Sequence, residues 1–338
     1  WVPLDPEVFA QLPPRSGGAE SPSRRQTGRR LIADEMIPVN KEHRFERLRP
    51  NEIWSRIEEF PCVFVPSGPL EWHGLQNPIG LDAVKARALC LRAADIYGGL
   101  VFPPTYLHAH TVPWPLGMPT PPELVEKQVE TILNYLARNG AKVVVWLSGH
   151  GGTEDYLAIR KAALTAMRVS DCIIWAGVDA HLITDLEKPM DHAAAIETSL
   201  LMHLAPETVD LGALDPNPAV VPQGVGGNDP RTHASETFGK ERTVMLVDRI
   251  ATLAARLVKV GNQDPVARSR HRECLAQQVE LDEMIAFARA RLPAADQPSK
   301  EPHGWSEHLE AFRLGDYETA YATGTAVIAK VRGEVRRQ

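Results

Sequence analysis

Apolar positions along the chain fall into two alternating patterns. Short continuous apolar runs, CVFVPSG from Cys62, LVFPP from Leu100, AKVVVWLSG from Ala141 and CIIWAGV from Cys172, are rich in β-branched residues and interrupted by Gly or Pro. Such runs predict strands covered on both faces. Between them, apolar residues recur at helical spacing in PNEIWSRIEEF, DAVKARALCLRAADIYGG, PELVEKQVETILNYLARNG, DYLAIRKAALTAMRV and AAAIETSLLMHLA. The third of these stops at Asn139-Gly140, a pair that suits a helix end. Strands alternating with helices predict an α/β fold of three layers, a mostly parallel sheet flanked by helices. Ligands in such sheets gather at the carboxyl ends of the strands.

The pattern also marks the ends of the fold. Residues 1–40 are rich in Pro, Gly, Ser and Arg (PPRSGGAESPSRRQTGRR) and bury little apolar surface, so they are expected to form a flexible arm. A domain over 41–262 follows. Past Gly261, ARSRHRECLAQQVELDEMIAFARARL, a Pro-rich break and a tail from about Ser306 predict a C-terminal helical extension over 263–338.

Composition narrows the partners. With 338 residues, 43% of them hydrophobic, the chain can bury a sizeable core. A formal net charge of -6 leaves no basic excess to neutralise a phosphate backbone, so a small molecule is expected and a nucleic acid is not. No apolar run approaches the roughly 20 residues that span a bilayer, and the first residues lack the order of a signal peptide. Cys62, Cys90, Cys172 and Cys274 form no CxxC pair, which suggests neither a zinc knuckle nor a disulfide framework. A soluble, cytoplasmic protein is the expectation.

Three segments carry chemistry. In PSGPLEWHGLQNPIGLDAVKA a strand end supplies Glu71 and His73, and Asp82 arrives at the next helix start. A spacing of two lets Glu71 and His73 point the same way if the segment is extended, with Trp72 turned to the opposite face and into the core. Taken alone, that pair also suits a polar turn. In WLSGHGGTEDY, glycines flank His150 directly after a buried strand and permit close approach of a ligand, although an incidental turn histidine would look similar. MDHAAAIETSLLMHLA places His192 before a helix and Glu197 in its first turns. On that apolar helix Glu197 requires a partner such as a cation, or serves the helix dipole; His192 alone reads equally as a capping histidine.

Together, in this order and spacing, the three segments resemble the creatininase family of metal-dependent amidohydrolases. The opening P-x-G-x-x-E-x-H-G, the following Asp, the glycine-rich His turn, the H-A-x-x-x-E-T-S helix and GVGGNDPRTHASETFGKE near 224–241 all resemble family segments, over about residues 45–260. The resemblance implies that Glu71 and His150 bind one metal, His73 and a second carboxylate bind the other, and Asp82 bridges them. Creatininase takes that second carboxylate from two residues after its turn histidine, where this chain has Gly152; Glu197 is the replacement, with Glu154 and Asp155 as nearby fallbacks. The cofactors implied are two divalent ions, zinc together with zinc, manganese or iron. A homo-oligomer, commonly a hexamer in the family, is also implied.

YLHAHTVPWPLGMPT stands where the family has a shorter substrate-side loop, which nominates His110 and Trp114 as substrate-binding residues and argues for a substrate other than creatinine. Trp146, inside a buried run, is expected in the core. The expected reaction is cleavage of a C–N bond in a small cyclic amide, lactam or formamide by a bridging hydroxide on a dinuclear site, with Glu197 and His192 catalytic and His192 moving a proton to the leaving nitrogen. Metal-assisted ring opening of a cyclic polyol ketone by C–C cleavage, and a non-catalytic metal-binding scaffold, are the alternatives.

Overall fold

The computed structural model describes residues 41–112, 116–293, 297–299 and 301–336. The arm expected over 1–40 and the candidate Trp114 lie outside the described residues. The elements in chain order are α1 (Pro50–Glu59), β1 (Cys62–Ser67), α2 (Leu81–Tyr97), β2 (Leu100–Val101), α3 (Pro122–Arg138), β3 (Val143–Ser148), α4 (Thr153–Val169) and β4 (Ile173–Val178). There follow α5 (Ala195–Leu204), the single turn α6 (Pro230–His233), α7 (Glu236–Gln263), α8 (Pro265–Arg291), α9 (Trp305–Leu314) and α10 (Tyr317–Arg336).

The four strands form one parallel sheet in the order β2-β1-β3-β4. Every residue of β1, β3 and β4 is buried, as strands covered on both faces require. Alternation then divides the core. Phe64, Val145, Leu147 and Trp175 face α2 and α7, whereas Val65, Val144, Trp146 and Ile174 face α3 and α4. Trp146 is in the core as expected, and its indole N–H donates to Ser67 Oγ at 2.9 Å.

The register aligns Ser67, Ser148 and Val178, so β1, β3 and β4 end level with one another. Their following residues converge on one edge of the sheet. Two glycines let α2 approach that edge: a Cβ on Gly68 or on Gly149 would fall on the Asp82 residue itself. Close contact between backbones is the reason for glycine at both positions.

Beyond α7 the chain is helical, as the pattern predicted. Leu275 and Val279 of α8 join the core of the α3–α4 face, while Leu281 and Ile285 form a further cluster with Trp305, Leu309, Val327 and Val331 of α9 and α10. The extension is tied to the sheet layers by a buried ion pair, Arg160 Nη1 to Asp282 Oδ2 at 2.7 Å. All four cysteines are free and buried. Among the described residues no helix is long and apolar enough to cross a membrane.

Candidate metal centre

The strand ends bring Glu71, His73, Asp82, His150 and Glu197 into one buried group, with His192 at its side. Glu71 sits in the loop after β1, where its backbone N–H bonds Ile79 O at 2.9 Å and its Oε2 accepts from the Val112 N–H at 2.7 Å. His73 Nδ1 lies 3.1 Å from the Glu71 carbonyl and donates to it, which turns Nε2 toward the acids. That atom is 3.6 Å from Glu71 Oε1, 3.5 Å from Asp82 Oδ2 and 3.8 Å from Glu197 Oε2. His150 Nδ1 faces the same two acids, 3.0 Å from Glu71 Oε1 and 3.3 Å from Asp82 Oδ2.

These distances define two overlapping triads, Glu71–Asp82–His150 and His73–Asp82–Glu197, each with its donor atoms within 4.8 Å of one another. Asp82 is common to both. A third grouping joins Glu71, His73 and His192. Glu71 Oε1, His73 Nε2 and both Asp82 carboxylate oxygens are buried without a hydrogen-bond partner among the described residues. Buried carboxylate oxygens are costly when unpaired, and Glu71 Oε1 and Asp82 Oδ2, both facing the imidazoles of His73 and His150, fit a cation. The donor set, imidazole nitrogen and carboxylate oxygen without thiolate, suits zinc, manganese or ferrous iron.

The groups behind these donors were not singled out by sequence. Lys85, one turn after Asp82 on α2, is buried and donates to Glu197 Oε1 at 2.9 Å while lying 3.0 Å from Asp179 Oδ2 and 3.9 Å from Asp82 Oδ1. Burial opposes its charge, but Asp179, Glu197 and Asp82 outweigh that cost and hold the ammonium above the ordinary lysine range. Its spacing from Asp82 was visible; its two other partners, Asp179 and Glu197 from two other elements, were not. Asp155, weighed as a fallback ligand, instead lies behind His150. Its Oδ2 is 3.4 Å from His150 Nε2, its Oδ1 is 3.2 Å from His108 Nδ1, and it accepts the backbone N–H groups of Ala109 and His110. A carboxylate on the far ring nitrogen orients an imidazole ligand and fixes its tautomer.

A side chain at position 152 would strike Asp155 Oδ2 and come within 2.7 Å of His150 Nε2, so this turn has no room for an acid there. Glu197 is placed instead by the start of α5. Asp191 accepts from the Ile196 and Glu197 N–H groups at 2.7 and 3.1 Å, and Ala193, at the left-handed φ of 54°, donates its N–H to Glu197 Oε2 at 2.8 Å. A non-glycine residue in that conformation is strained, and here it aims a donor at the Glu197 carboxylate.

His192 is held by the segment near 224–241, through paired backbone bonds with Gly226 of 3.1 and 2.8 Å. Its Nε2 donates to the Trp72 carbonyl at 3.0 Å, so Nδ1 is the free lone pair, 3.8 Å from Glu71 Oε1. Its ring lies 4.8 Å from that of His73. His110 is exposed at the rim, its ring stacked 6.2 Å from that of His150. Trp72 departs from expectation. The residues after β1 form a loop, not a continued strand, and the indole is half-buried with its N–H donating to Gln223 O at 2.9 Å.

Burial works against a charged His73, yet Asp82, Glu197 and Glu71 lift its imidazolium to about 9. A proton there does part of the neutralising that a cation would complete.

The sequence matches the family model "Creatininase: Creatinine amidohydrolase" over residues 46–253. It is 27% identical over 219 residues to the creatinine amidohydrolase of Pseudomonas putida, covering 57% of this chain and 84% of that one. It is 29% identical over 162 residues to the mycofactocin precursor peptide peptidase of Mycolicibacterium smegmatis (strain ATCC 700084 / mc(2)155), covering 44% of this chain and 60% of that protein. A solved structure titled "Creatininase Mn" superposes with a TM-score of 0.55 at 22% identity, over 67% of this chain and all of that one, which shows a shared fold. With the family model spanning well over half of its length, this chain belongs to the creatininase family.

Proposed function

We propose that the chain hydrolyses a C–N bond of a small cyclic amide, lactam or formamide at a centre of two divalent cations. Glu71 and His150 would hold one cation and His73 and Glu197 the other, with Asp82 serving both. The convergence of Glu71 Oε1, Asp82 Oδ2 and the imidazoles of His73 and His150 in one buried group supports this reading. Zinc, manganese and iron all suit the donors. When bound, such cations supply a Lewis acid that polarises an amide carbonyl and acidifies water.

The chain's own residues do the rest. Asp155 holds the His150 ring with Nδ1 turned inward, and Lys85 holds Glu197 by one oxygen so that the other faces His73. His192, its Nε2 proton engaged by Trp72 O, presents Nδ1 as the base that takes a proton and returns it to the leaving nitrogen. Glu197 shares the catalytic role by setting the charge beside His73. His110 at the rim lines the approach of the substrate. One relative is named for creatinine and the other for a precursor peptide, so kinship alone leaves substrate size open. A closed homo-oligomer completes the reading.

The test is metal content by inductively coupled plasma mass spectrometry on the wild type, Asp82→Ala and Glu197→Ala. About two transition metals per chain, reduced in both variants, is expected of a dinuclear site; metal content unchanged by either substitution refutes it. A panel of lactams, formamides and cyclic polyol ketones then reads the reaction. Amine or formate release is expected, and a nitrogen-free acid as the sole product would replace amide hydrolysis with ring opening.

A further inference from the structure

A cavity of about 320 Å3 opens beside the metal-centre loops. Gly151, the neighbour of His150, and Met190, two residues before His192, form its inner wall. Tyr156, Val178 and His181 form the floor, and Ser299 and Glu301 form the outer lip. Met190 packs with Tyr156 and Val178, so the wall is largely apolar. The volume is at the lower end of small-molecule sites, about 300–1,000 Å3. The lip lies beyond residue 253, where the family match ends, and comes from this chain's own extension.

Two polar groups break the apolar lining. His181 is only 7% exposed, and its Nδ1 accepts from the Val178 N–H at 3.2 Å and from Arg160 Nη2 at 3.2 Å. Those two donors place the ring proton on Nε2, and no acceptor among the described residues meets it. Burial, reinforced by Arg160, holds the imidazole well below its ordinary pKa and therefore neutral. An imidazole N–H of fixed tautomer that no described acceptor meets, on a largely buried ring, is available to an external acceptor. At the lip, the Ser299 hydroxyl is engaged by the Glu301 backbone, donating to its O at 3.0 Å and accepting from its N–H at 3.1 Å, which leaves the exposed Glu301 carboxylate as the outer acceptor.

We propose that this cavity is a carboxamide subsite, in which a C=O accepts from His181 Nε2–H and the amide N–H turns toward the Glu301 carboxylate. A neutral amide matches one inner donor, one outer acceptor and apolar walls between them; a carboxylate would meet Glu301 as a like charge, and an ammonium would leave the His181 proton unpaired. The assignment rests on the amide-hydrolase reading only in saying that the substrate brings this amide, a second one beside the scissile bond. The subsite's own preference does not require metal.

Methionine methyl groups labelled with carbon-13 report on the wall, with the Met190 signal identified by its loss in Met190→Leu. Metal-depleted and metal-loaded protein are titrated with N-methylacetamide and with methyl acetate, which has the same shape and no N–H. The Met190 signal is expected to move saturably with the amide in both forms. Half-saturation should rise about fivefold or more in His181→Asn and in Glu301→Ala, the effect of one lost hydrogen bond. Asn keeps an acceptor where Nδ1 stood, and Glu301 is exposed, so neither variant should unfold. An unmoved Met190 signal, equal binding of the ester, or unchanged half-saturation in both variants overturns the subsite. An intact amide response in a chain shown to bind no metal would keep the subsite and sink the hydrolase reading; bound metal with an inert Met190 would do the reverse.

Discussion

Helix α4 carries buried charge of two kinds, five residues apart. Arg160 is almost fully buried, yet each part of its guanidinium has a partner: Nη1 on Asp282, Nε on Ala176 O at 3.3 Å and Nη2 on His181. At the first turn of the same helix, Asp155 backs onto His150 and a group of acids and imidazoles in which His73 Nε2 and both Asp82 oxygens have no hydrogen-bond partner among the described residues. Equal burial with unequal satisfaction separates a structural ion pair from a site that awaits a ligand. The first region is complete and joins the extension to the sheet; the second is completed by something from outside.

The largest effect should come from Asp82→Ala, which removes the residue common to both triads. Turnover of an amide substrate should fall on the order of 10³-fold, the scale of the several kcal/mol supplied by a Lewis acid. Bound metal should fall with it while circular dichroism stays native. Equal metal content and activity in the variant would erase the distinction between the two regions.

Arg160→Met should do the opposite. It leaves Asp282 alone and buried, costing about 3–5 kcal/mol in urea unfolding, while metal content stays at the wild-type level. Adding Asp282→Leu should recover most of that loss, since a buried pair replaced by apolar groups is often neutral. A stability loss accompanied by loss of metal would show that the two clusters are one.

Lys85→Met and Asp155→Asn should each weaken metal binding by about 10–100-fold in a chelator competition, the usual effect of losing an outer partner. An unchanged affinity would reduce both residues to packing. The gentlest test is pH. Because the carboxylates hold the metal-free His73 imidazolium up to about 9, a cation must displace that proton at neutral pH. Against the pull of burial, His150 is held well above its ordinary range by Asp155, Asp82 and Glu71 as well, so affinity should climb at least about tenfold per pH unit between 7 and 9, as release of one or more protons requires. A flat profile between pH 7 and 9 would place the proton elsewhere.

Much of this was legible in the chain. Strands buried on both faces leave continuous apolar runs, so β1, β3 and β4 were readable, and the helix stop at Asn139-Gly140 follows from local backbone preference. The candidate ligands stood out because glycine brackets His150 and because Glu71, His73 and Asp82 lie within twelve residues. Trp72 was misread because alternation holds only while the chain is extended, and the chain leaves the strand at Ser67. Lys85, Asp179 and His181 passed unnoticed because each owes its role to partners more than one element away.

The sequence by itself determined the α/β class through periodicity, a local property that survives without coordinates, and its motifs carried the family resemblance and named the candidate donors. Only the tertiary structure decided that Lys85 joins Glu197 to Asp179 behind the group, that Asp155 stands behind a donor and is not one of that set, and that the extension forms the lip of a cavity beside the centre. Those facts depend on distances between atoms remote in sequence, and such distances are set when strand ends, helix starts and the C-terminal helices pack together.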